Sequence, residues 1–269
     1  MMGQLMESPE YKRLKQEVHD LRAKLESLLY YRDELKYVIC ENIKSDYMLA
    51  IGGLEYKLYE AYCEYCRLRR KREMIQAKIN RNEVLSMDLL EDRLDLEFRD
   101  YQKKLQERVS DLQAALERSK LRVMSEEESK EFKGLYRSLV KLLHPDLHPN
   151  RSERDREFFV QATQAYKNGD LPTLQVIFQM VKQEEETSEE VVPAMTLEGE
   201  KEKLVGYIQK MEKEIEEIQS KPPYSWKIYL DDPEKKAQKI AELMRELKGF
   251  REGIQTQQEA IQELLGRMK

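Results

Sequence analysis

The chain has 269 residues, a net charge of −5, and 37% charged against 40% hydrophobic residues, with only 10 Gly and 8 Pro. This composition favours long helices with narrow apolar seams over one thick core, and the acidic total argues against non-specific binding of nucleic acid or anionic membrane by the chain as a whole. No apolar run approaches the roughly 20 residues of a membrane span, Met1 to Glu10 lack the apolar stretch of a secretory signal, and Cys40, Cys63 and Cys66 make no disulfide framework, so the expected location is the cytoplasm.

Residues 8 to about 40 predict a first helix. Tyr11, Leu14, Val18, Leu21, Leu25, Leu28, Leu35 and Ile39 fall at steps of three and four, and Arg32 interrupts the seam. Such a seam buries poorly alone and needs a partner helix. A second helix is expected to begin near Asn42 to Asp46, where Asn, Ser and Asp offer N-caps, with Gly52-Gly53 as a kink. Its seam continues from Leu54 to Ile79, and Asn80 to Ser86 reads as a turn. A third helix is predicted from about Asp88 to Lys120. Short connections between long helices imply antiparallel neighbours. Ser125-Glu126-Glu127-Glu128 is a capping-box pattern that starts the next helix.

That helix carries Phe132, Tyr136, Leu139 and Leu143 as one apolar stripe. Lys133, Arg137 and Lys141 recur every four residues on a different face. Pro145 disfavours helical dihedrals at His144, so the helix stops there and His144 and Asp146 are expected exposed at a tip. A short helix from Glu157 to Tyr166 follows, with Phe158, Phe159, Ala162, Ala165 and Tyr166 as its apolar residues. Glu184 to Glu200 is acidic, lacks basic residues and reads as a linker. Beyond it, a seam from Leu204 to Ile218 ends at Lys221-Pro222-Pro223, and Asp231 or Asp232 caps a last helix with Pro233 at its first position. These two helices read as an antiparallel hairpin, joined by an aromatic connection, residues 224–230, that is expected to dock on a helix or a partner.

Helix, His-Pro-Asp, loop, and a helix ending in Ala165-Tyr166 is an order that resembles the J-domain of DnaJ-like co-chaperones, over about residues 126 to 180. The resemblance implies docking on the ATP-bound state of a DnaK-type chaperone and stimulation of its ATP hydrolysis. His144, Pro145 and Asp146, with Arg137, Lys141 and Lys133, would then be partner-binding residues. The chemistry would belong to the partner, so no catalytic residue, cofactor or metal is expected in this chain. The basic stripe would give orientation and fast encounter with an acidic face. The coiled-coil arms would select a client or scaffold protein. No equivalent of the family's first helix, with its Tyr-x-x-Leu-Gly run, is read, and Ser138 and Leu142 stand where basic residues are common. Those departures carry the alternative: a coiled-coil scaffold whose J-like hairpin has lost chaperone coupling.

Three other patterns have plainer readings. His144, Asp146 and His148 form a poor metal or acid-base set, because a proline separates the first two. Cys63-Glu64-Tyr65-Cys66 lacks the further ligands that structural zinc needs. Arg67 to Arg72 is read as a helix face paired with acids on a neighbour rather than a nucleic-acid patch. The fold expected is all-α, a J-domain-like helical hairpin flanked by long antiparallel coiled-coil helices. Its divisions are 1–124 (N-terminal coiled coil), 125–182 (hairpin), 183–200 (linker) and 201–269 (C-terminal hairpin), with pairing between chains as a homodimer left open.

Overall fold

A computed structural model of the chain describes residues 9–121, 123–185 and 197–267. The described residues are helices joined by short turns and loops, without a strand. The chain forms two compact units, one from residues 1–41 and 122–225, the other from 42–121 and 226–269.

Helix α1 runs Pro9–Glu34 and passes through a π-helical segment, Leu35–Ile39, into α2, Cys40–Tyr47. A second π-helical segment, Met48–Gly52, leads into α3, Gly53–Asn80. The helix start expected near Asn42 to Asp46 is therefore not one. Ser45 Oγ instead donates to the Ala115 carbonyl at 3.2 Å, and Asn42 accepts from Arg118 at 2.8 Å. Neither residue is free to cap, and a π-helical turn shifts the phase of the seam without a break.

The turn after Asn80 is as expected, and the Ser86 hydroxyl caps α4, Met87–Glu97. Phe98 separates α4 from α5, Arg99–Lys120, so the third helix is two. Both run antiparallel to the preceding helices: Arg67 pairs with Asp95 at 2.8 Å, and Lys44 pairs with Asp111 at 2.7 Å. Then come α6, Glu126–Leu143, α7, Glu153–Asn168, and α8, Leu171–Glu185. Leu197–Ser220 forms α9, a 3-10 turn spans Tyr224–Trp226, α10 is Lys227–Asp231, and α11 is Pro233–Gly266. The linker expected over 183–200 overlaps two helices. Its two ends belong to α8 and α9, Leu197 packs on the first unit's core, and residues 186–196 lie outside the described residues.

Helices α9 and α11, expected as one C-terminal antiparallel hairpin, belong to different units, and each packs on a partner within its own. In the first unit, α9 lies along α1 and runs parallel to it. Glu17 meets Lys201 at 2.5 Å, Lys24 meets Glu212 at 2.8 Å, and Tyr31 meets Gln219 at 3.1 Å. Leu204, Ile208 and Met211 share a core with Val18, Leu25 and Leu29. In the second unit, α11 runs parallel to α3, with Phe250 on Tyr62 and Tyr65 and with Ile261 and Leu264 packed around Ile75. A Cβ at Gly253 would lie 2.9 Å from the Tyr65 ring, so glycine there lets the two helices close. The division expected at residue 124 falls instead near Glu41, because α1 buries its seam against α9 and the hairpin.

The parallel register makes a prediction. A zero-length carbodiimide should join Glu17 to Lys201 and Lys24 to Glu212, read by peptide mass spectrometry. Links from Glu17 to the far end of α9, near Lys213, would indicate the antiparallel arrangement instead.

The aromatic connection docks within the chain. Trp226 stacks on Tyr47 with ring centroids 4.5 Å apart, and Tyr229 lies 6.2 Å from the same ring. Asp232 accepts from the backbone of Glu234 and Lys235, with Pro233 in the first turn of α11 as expected.

Candidate functional site: the His-Pro-Asp turn

Helix α6 begins on a reciprocal capping box between Ser125 and Glu128. Phe132, Tyr136, Leu139 and Leu143 are all buried, as their spacing predicts. The Tyr166 ring stacks on Tyr136 at 3.9 Å and on Phe132 at 4.9 Å, which fixes α7 against α6. A second capping box, Ser152 with Asp155, opens α7, and Gly169 closes it with a φ of 70°, a left-handed conformation that suits glycine. Leu174, Ile177 and Val181 of α8 complete this core.

His144 caps the end of α6 in extended backbone, as a residue before proline should. Its position corrects the expected tip. His144 is 5% exposed, Asp146 is half-buried, and Pro145 is exposed. The imidazole meets the edge of Phe159 with centroids 4.9 Å apart, and Nδ1 accepts the Asp146 backbone N–H at 3.0 Å. Those two contacts fold the ring inward. Because Nδ1 accepts, the neutral ring carries its proton on Nε2. Burial pushes the His144 pKa down to about 4; Arg32 and His148 add to the shift, while Asp146 and Asp33 oppose it. The Asp146 carboxylate stands 4.0 Å from Nδ1.

His148 ties the turn at both ends. Its backbone N–H donates to the His144 carbonyl at 2.9 Å, and its ring Nε2 donates to the Lys141 carbonyl at 2.7 Å. The second bond satisfies one of the carbonyls that a helix end leaves open. We predict that His148→Ala speeds hydrogen exchange at residues 144–148 about fivefold to tenfold, the loss of about one hydrogen bond, with little change in Tm. Unchanged exchange would mean that the loop holds itself without the ring.

The three stripe cations differ in their surroundings. Lys133 pairs with Glu34 at 2.6 Å, which raises its pKa. Arg137 lies 3.9 Å from Glu26 and 5.8 Å from the centre of the Tyr30 ring. Lys141 is exposed, and no carboxylate among the described residues lies within ion-pair distance of it. The stripe is thus not one open basic face: α1 occupies part of it.

Beneath the stripe lies a group of residues that the seam pattern passed over. Arg32 pairs with Asp33 at 2.6 Å, and Asp33 is 2% exposed. The Tyr136 hydroxyl donates to Asp33 at 2.7 Å and lies 3.3 Å from Thr163 Oγ1. Arg32 also donates to Met211 Sδ and faces Glu214 on α9. Burial and the Asp33 charge push the Tyr136 pKa up, so its hydroxyl remains a donor. The signal in the sequence was Arg32 itself, a charge on a seam position followed directly by an acid.

Arg67 bonds Glu91 and Asp95, Lys71 bonds Glu91, and Arg70 bonds Glu97, so these three residues of the basic run pair with α4, while Arg69 pairs with Glu73 on its own helix. Cys63 is buried and Cys66 half-buried, both as free thiols, and burial pushes the Cys63 pKa up. Among the described residues, no group of three or more His, Cys, Asp or Glu is placed to hold a metal ion, and no helix is long and apolar enough to cross a membrane. No family model, curated protein or solved structure matches the chain.

Proposed function

We propose that the chain is a J-domain-like co-chaperone that docks on the ATP-bound state of a DnaK-type chaperone and stimulates its ATP hydrolysis. The observation that carries this reading is the hairpin itself. Two capped helices lock by aromatic stacking and present a His-Pro-Asp turn held by four hydrogen bonds, from the N–H groups of Asp146, Leu147 and His148 and from the His148 ring. A turn organised in advance loses little entropy on docking. Helix α1 supports the reading further. It packs on α6 and supplies Asp33 to Tyr136, so the helix expected as a coiled-coil arm lies beside the hairpin. In this reading the chemistry belongs to the partner, the chain needs no cofactor, it works in the cytoplasm, and its arms hold a client or scaffold protein.

A second reading, a scaffold with a J-like hairpin uncoupled from any chaperone, is favoured by one observation: Lys133 and Arg137 face carboxylates within the chain. A single-turnover ATPase assay with a purified DnaK-type chaperone separates the two. Stimulation by wild type that is lost in His144→Gln supports the first. No stimulation by wild type, with the fold intact, supports the scaffold.

A further inference from the structure

We propose that Glu26 and Glu34 set the charge selectivity of the docking face: they engage Arg137 and Lys133 and leave Lys141 as the cation that draws in an acidic partner. The inference rests on the co-chaperone reading and says which end of the face meets the partner first. It starts from two matching rows. Lys133, Arg137 and Lys141 repeat every four residues on α6; Glu26, Tyr30 and Glu34 repeat every four on α1. The rows face each other in antiparallel order. Glu34 meets Lys133 at 2.6 Å, Tyr30 lies under Arg137, and Glu26 approaches Arg137 at 3.9 Å.

The acidic row is anchored. Leu25, Leu29 and Asp33 on the same helix are buried, and the Glu26 and Glu34 side chains are only 19% and 16% exposed. The cations across from them remain open to solvent, at 44% for Lys133 and 55% for Arg137. A partner can therefore touch them, but at a distance it meets ion pairs. The field of a pair falls off faster than that of a single charge, and salt screens it further. Long-range attraction then comes mainly from Lys141, close in sequence to the His-Pro-Asp turn. Encounter is biased toward the turn, and a weakly acidic partner face is not held along the rest of α6.

The test is stopped-flow association of the full chain with a purified, ATP-loaded DnaK-type chaperone across a salt series. In the wild-type background, Lys141→Gln should slow association about threefold or more, and Lys133→Gln by less than about twofold. In Glu26→Gln/Glu34→Gln, association at low salt should rise about threefold to tenfold, its salt dependence should steepen, and Lys133→Gln should become as harmful as Lys141→Gln. A purely structural role for the two acids would leave the salt dependence unchanged, and that result overturns the inference. So does an equal effect of Lys133→Gln and Lys141→Gln in the wild-type background, a ranking that decides the matter even if the double variant fails to fold. Wild type that does not associate at all sinks the co-chaperone reading, and this inference with it.

Discussion

Replacing Asp33 with Ala is expected to destabilise the hairpin-bearing unit by about 3–5 kcal/mol, the range for removing one member of a buried ion pair. Asp33 is 2% exposed and accepts from both Arg32 and the Tyr136 hydroxyl. Its removal leaves a guanidinium at 17% exposure without its closest carboxylate and a buried hydroxyl without its shorter bond. The neighbouring pair Lys24–Glu212 is a control, because both side chains are about half exposed. Glu212→Ala should cost less than about 1 kcal/mol. Hydrogen exchange at α6 and α7 amides against urea reads both variants. A double variant, Arg32→Met/Asp33→Leu, should recover much of the loss, since apolar side chains of similar volume can replace a buried pair. If Asp33→Ala costs no more than Glu212→Ala, water reaches the pair and the buried network contributes little.

How much of this was legible depends on what the sequence can encode locally. The Ser125 capping box, the Phe132–Leu143 stripe, the stop before Pro145 and the Pro233 helix start are decided by a few adjacent residues, and all were readable. Partner choice between helices was not. The seams of α1, α3, α9 and α11 are alike, and nothing in a three-four repeat says which seam pairs with which, or in what direction. Loop length also misled. The connection between α9 and α11 is short, yet it turns through Trp226, stacked on Tyr47, and Tyr229, tilted against the same ring, and the two helices pack on different partners. Arg32 read as a break in the seam because a single charge there is costly. Asp33 and Tyr136 offset that cost, and Tyr136 lies more than a hundred residues away. His144 read as exposed because the rule for residues before proline concerns backbone. It says nothing about a ring that finds Phe159 behind it.

The burial of His144 has a consequence in acid. Its pKa in the fold is about 4, against an ordinary value of 6.5, so between these limits the unfolded chain binds the proton and the fold does not. Stability therefore rises with pH across this window. The neutral ring's full contribution is present above about pH 6.5 and is lost as pH falls toward 4. The shift corresponds to about 3 kcal/mol. His144→Gln removes the titrating group and keeps an oxygen that can accept the Asp146 N–H. The variant should lose some stability at neutral pH through the Phe159 contact. Between pH 6.5 and 4, however, its stability should fall by about 3 kcal/mol less than that of wild type. Urea unfolding at half-unit pH steps, taken as the difference between the two proteins, cancels the carboxylates they share. Parallel curves would mean that His144 is solvated in solution. The same physics sets the conditions for the ATPase comparison. At pH 7.5, well above this window, His144 is neutral with its proton on Nε2, and acid destabilisation plays no part. Loss of stimulation by folded His144→Gln at that pH then reports on docking at the turn, because the pH-dependent cost of burying the ring has been removed from both sides.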